Sequence, residues 1–142
     1  MGSDGLIKRF SYPIVANDFT IAGKSSSEIK SNIKAIGIDA RIIRKIAIIS
    51  YEAEMNIVIH SLGGFIHCDL YEDKIVIVSE DIGPGIPDIE MAMTEGFSTA
   101  TENVRELGFG AGMGLPNMKK YSDDFEIESN KSGTIIKITI LI

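Results

Sequence analysis

The sequence predicts an α/β fold, a two-layer α/β sandwich in which a mixed, largely antiparallel sheet carries helices on one face. Two observations predict it. Two helical apolar stripes follow one another in the first half, and short-turn strand pairs then flank a long segment rich in glycine and polar residues. A length of 142 residues suits one domain spanning 1–142.

The elements follow in chain order. A ragged apolar segment through Phe10 and Tyr12 to Val15 reads as a first strand. Asn17 or Asp18 is then placed to cap a helix whose apolar positions are Phe19, Ala22, Ile29, Ile33 and Ile36, with Gly37 ending it. Asp39 offers a cap for a stronger central helix reaching about His60, striped by Ile42, Ile43, Ile46, Ile49, Ala53 and Ile57. Gly63 and Gly64 mark the exit. Residues 65–71 and 74–80 form two strands around Glu72 and Asp73, and the IVIV run of the second implies burial on both faces.

From Asp81 to Gly114 the pattern changes to glycines and polar residues, with one short amphipathic piece at 88–94. A connection of that length belongs more often to an active-site lid or binding loop than to an idle linker. A short helix at about 115–121, a strand at about 124–129, a turn at 131–133 and the final strand TIIKITILI complete the order.

Composition removes several functional classes. With 44% hydrophobic and 24% charged residues the chain is not a disordered one, and its formal charge of -6 gives no general attraction to nucleic acid or an anionic membrane. Cys68 is the single cysteine, so an intrachain disulfide and a four-thiolate metal site are both excluded, and its place in FIHCDLY reads as a small packed residue. No stretch reaches transmembrane length and the start lacks the apolar block of a secretory signal, which makes the cytoplasm the expected compartment.

Three segments can carry chemistry. On the central helix Glu52, Asn56 and His60 are spaced by four and share one face: a carboxylate there can deprotonate a nucleophile and an amide oxygen can coordinate Mg²⁺, whereas His60 reads as structural. At the end of the apolar strand comes EDIGPGIPD, where Asp81 can accept from an exocyclic amine and Gly83 and Gly85 permit a tight backbone path. The third is GFGAGMGLPN, with Gly108, Gly110, Gly112 and Gly114 before a helix, a pattern that lets backbone amides approach phosphates. The AGKSSS at 22–27 is a poor P-loop, since Asp18 stands where the first glycine is required.

Taken together these motifs resemble the GHKL superfamily, the Bergerat-fold ATP-binding domain of histidine kinases, gyrase, heat-shock protein 90 and MutL. Within it, the small size resembles anti-sigma factors and the serine/threonine kinases of partner-switching modules. Glu52 and Asn56 match its N box, Asp81, Gly83 and Gly85 its DxGxG box, Gly108 to Gly114 its lid hinge, and Gly133 with Thr134 its last nucleotide-contacting motif. The resemblance implies ATP with Mg²⁺ as cofactors: Asp81 on the adenine amine, Thr134 supporting that contact, Asn56 holding Mg²⁺, Glu52 as catalytic base and a lid over residues 89–113 whose amides cradle phosphates. Arg105, Ser98 and Thr99 fall in that lid without an assigned role.

The resemblance further implies a protein partner and leaves a homodimer open. The leading expectation is a kinase that phosphorylates Ser or Thr of a small STAS-like antagonist. The alternative is an anti-sigma factor that holds a sigma factor, with nucleotide setting its conformation.

Overall fold

The computed structural model describes residues 5–83, 93 and 114–142. Its elements are β1 (Leu6–Ile14), α1 (Lys24–Ile36), α2 (Ala40–His60), β2 (Gly64–Tyr71), β3 (Lys74–Asp81), α3 (Gly114–Lys120), β4 (Asp124–Asn130) and β5 (Gly133–Leu141). The strands form one sheet in the order β1-β2-β3-β5-β4. The sheet is expected to be mixed and largely antiparallel, and every pairing among the described strands is antiparallel.

Register explains how one face becomes the core. Phe10, Cys68, Ile77, Ile138 and Phe125 lie side by side across the five strands, and the row Tyr12, Ile66, Ser79, Ile136, Ile127 lies beside it. These side chains meet Ile29 and Ile33 of α1 and Ile46, Ile49 and Ile57 of α2, all fully buried. Strand alternation sends the intervening residues to the other face. There Arg9 holds the buried Asp69 carboxylate through two bonds of 2.6 and 2.8 Å. Cys68 is packed as expected, and burial pushes its thiol up to about 12.

The central helix and its cap agree with expectation: the Asp39 carboxylate accepts from the Arg41 N–H at 2.8 Å. Gly37 closes α1 with φ 92°, a left-handed conformation suited to glycine. The start of α1 differs. Neither Asn17 nor Asp18 caps it, because the Asp18 carboxylate is taken up locally by the Thr20 N–H and hydroxyl at 3.2 and 2.6 Å. Gly23, at φ 96°, then breaks the backbone, and the helix begins at Lys24.

The cap comes instead from another helix. Glu54 of α2, 3% exposed, accepts from the Gly23 N–H at 2.9 Å and the Ser26 N–H at 3.0 Å. Glu54→Ala removes the acceptor of two donors and is expected to cost about 1–3 kcal/mol. Urea unfolding measures this; a midpoint equal to wild type would show that the carboxylate does not anchor α1.

Candidate nucleotide site

The end of β3 positions Asp81. Its Oδ1 accepts from the backbone N–H of Thr134 at 2.9 Å, so the first residues of β5 orient the carboxylate. Oδ2 has no hydrogen-bond partner among the described residues. Half-burial raises the Asp81 pKa, and the Thr134 bond works against that rise. Thr134 is itself buried, its hydroxyl sharing a 2.8 Å hydrogen bond with Ser129 Oγ.

Backbone hydrogen bonds tie the chain just after Asp81 to the turns on either side. Ile82 N–H donates to Gly63 O at 2.9 Å, Leu62 N–H donates to Ile82 O at 2.7 Å, and Gly83 N–H donates to Ser132 O at 3.3 Å. Gly83 lies against Ser61 at the end of α2, where an added Cβ would come within 3.4 Å of Ser61 Cα. Gly64 and Gly133 flank Asp81 on its two neighbouring strands, and a Cβ on either would overlap β3 carbonyl oxygen, of Glu80 and Asp81 respectively.

A second grouping forms where α2 meets α3. Leu115 and Met118 bury α3 in the core, and Asn117 on the same helix donates from Nδ2 to Glu52 Oε2 at 3.3 Å. Gly114 adjoins this carboxylate, since a Cβ there would lie 3.8 Å from Oε2. Burial raises the Glu52 pKa and the Asn117 bond opposes it. Asn56, one helical turn further along α2, is half-buried and its amide has no hydrogen-bond partner among the described residues. His60 is half-buried at the helix end, where burial lowers its pKa and favours neutral imidazole.

Of the residues expected from sequence, Asp81, Gly83 and Thr134 gather at one end of the sheet, and Glu52 and Gly114 meet at the α2–α3 contact. Gly85, Gly108, Gly110 and Gly112, the lid at 89–113, and Arg105, Ser98 and Thr99 lie outside the described residues. Sequence reasoning missed Asn117, Ser129 and Gly64 as parts of these groupings. Asn117 closes the quoted glycine-rich motif, but nothing separates it there from a solvated surface asparagine.

Residues 41–142 match the family described as histidine kinase-, DNA gyrase B- and HSP90-like ATPases. The chain belongs to this family. Membership in an ATPase family implies ATP binding. Among its relatives, the serine/threonine-protein kinase RsbT of Bacillus subtilis is 37% identical over 82 residues, 55% of this chain and 56% of that protein. The anti-sigma F factor of Clostridium novyi is 35% identical over 92 residues, 60% of this chain and 61% of that protein. Each match thus spans less than two-thirds of the relative's own length. The SiaB-SiaC complex from Pseudomonas aeruginosa shares the fold at a TM-score of 0.58 and 10% identity, with 99% of this chain and 92% of that one covered.

The geometry fits a nucleotide. Asp81 offers a directed acceptor for an exocyclic amine, and the missing side chain of Gly133 lets the start of β5 pack directly against the Asp81 backbone. Among the described residues no group of three or more His, Cys, Asp or Glu could cage a metal. Asp81→Asn would turn an N–H donor toward the amine, and affinity for ATP and ADP is expected to fall about 10- to 100-fold. Calorimetry of the folded variant checks this, and an unchanged Kd would remove Asp81 from the adenine contact.

Proposed function

We propose that the chain is a Mg-ATP-dependent serine/threonine protein kinase that phosphorylates a small STAS-like antagonist in a partner-switching system. The observation that carries this reading is the Glu52 carboxylate: half-buried, raised in pKa, tied at Oε2 to Asn117 and without a described partner at Oε1. A carboxylate held in that way can take the proton of a Ser or Thr hydroxyl as its oxygen bonds to the terminal phosphorus of ATP and the bond from that phosphorus to the bridging oxygen breaks, releasing ADP. Similarity to RsbT, named a serine/threonine-protein kinase, supports the same chemistry.

In this reading residues 1–142 act as one cytoplasmic domain. Asp81, Gly83, Gly85 and Thr134 hold adenine, Gly108, Gly110, Gly112 and Gly114 cradle phosphates, and the segment 89–113 covers them. Asn56 would hold Mg²⁺, whose charge offsets that of the transferred phosphoryl group. No helix among the described residues is long and apolar enough to cross a membrane.

Similarity to anti-sigma F factors supports a second reading, in which the chain binds a sigma factor and nucleotide sets its conformation. Pull-down from native extract followed by incubation with radiolabelled Mg-ATP separates the two. Label on Ser or Thr of a small captured protein supports the kinase. Stable capture of a sigma factor without label supports the second reading, and rapid turnover of free ATP with neither captured contradicts both.

A further inference from the structure

We propose that Asn117 is the positioning residue of the Glu52 carboxylate, its amide N–H holding Oε2 so that Oε1 is left to accept the substrate proton. The role presupposes the kinase reading above.

Glu52 reaches its site through three side-chain torsions, and in a half-buried setting an untethered carboxylate would spread over several rotamers. The 3.3 Å bond from Asn117 Nδ2 selects among them. Asn117 can do so because its own helix is fixed: Met118 is 0% and Leu115 6% exposed, and both pack in the core beside α2. The two elements that meet here are far apart in the chain, so the contact is made by the fold and not by local sequence.

The type of donor matters as much as its place. A lysine or arginine at 117 would hold the carboxylate with a full positive charge and lower its pKa, weakening it as a base. An amide orients the group through one neutral hydrogen bond, and burial keeps its pKa raised despite that bond. The same helix begins at Gly114, one turn before Asn117, and a Cβ there would lie 3.8 Å from Glu52 Oε2, so both ends of this turn border the carboxylate.

The experiment is a double-mutant cycle with single-turnover transfer from Mg-ATP to the acceptor identified by labelling. Asn117→Ala, and Asn117→Asp as a variant of the same shape, are each expected to slow transfer about 10- to 100-fold, with ADP affinity within about twofold of wild type. In a Glu52→Gln background the same substitutions are expected to add no further loss. Equal losses in both backgrounds would mark Asn117 as merely structural and overturn the proposal, as would unchanged transfer by both variants. Failure of wild type to transfer phosphate while binding nucleotide overturns the kinase reading and this role with it. That result is distinct from a working kinase indifferent to Asn117.

Discussion

Glu52→Gln is expected to lower phosphotransfer about 10²- to 10⁴-fold while leaving nucleotide affinity within about twofold. Glutamine keeps the shape and can still accept from Asn117, so α2 and α3 should pack as before. What it lacks is basicity: an amide oxygen cannot take a proton from a hydroxyl at neutral pH. Because only the chemical step is affected, kcat should fall while KM for ATP holds. In wild type, burial holds the Glu52 carboxyl above the ordinary glutamate range, so the ionised form is lost at a higher pH as solution is acidified. The acid limb of the pH profile should lie correspondingly high and disappear in the variant. Comparable transfer by Glu52→Gln and wild type would leave the reaction without its base.

The sequence made legible those features whose cause is local or repetitive. TIIKITILI reads as a final strand from its composition, and it forms β5, with Ile136, Ile138 and Ile140 buried. Gly37 and Asp39 stop and start helices through groups within a few residues of themselves, and both do so here. The start of α1 was not legible, because Asp18 had two local uses and the structure takes the turn, while the true acceptor, Glu54, is 28 residues from Ser26. The candidate site divides the same way. Asp81 and Thr134 are recognisable from motifs, and the fold joins them across β3 and β5. Asn117 and Ser129 depend on helix docking and strand register, which residue type alone does not encode.

Gly133→Ala is expected to be the most damaging single-methyl change at the nucleotide end. Two separate costs fall on it. At φ +148° the residue occupies backbone that L side chains rarely adopt, and the new Cβ would overlap the Asp81 carbonyl oxygen and approach Asp81 Oδ1 to 3.3 Å. The overlapped atom is backbone at the end of the β3–β5 ladder, so relief requires the start of β5 to move away from β3. Together the strain and the overpacking should cost about 3 kcal/mol or more, a fall in Tm of roughly 10 °C for a domain of this size. Gly37→Ala separates the two costs. Its φ of +92° imposes left-handed strain, but nothing lies within 4 Å of the added methyl, so a loss of only about 1 kcal/mol is expected. Gly64→Ala supplies the opposite control, overlapping the Glu80 carbonyl oxygen without a positive φ. Thermal unfolding of the three variants, with ADP calorimetry on whatever remains folded, should place Gly133→Ala lowest on both measures. A Gly133→Ala protein as stable as Gly37→Ala and binding ADP like wild type would show that β5 does not hold Asp81 by this close approach.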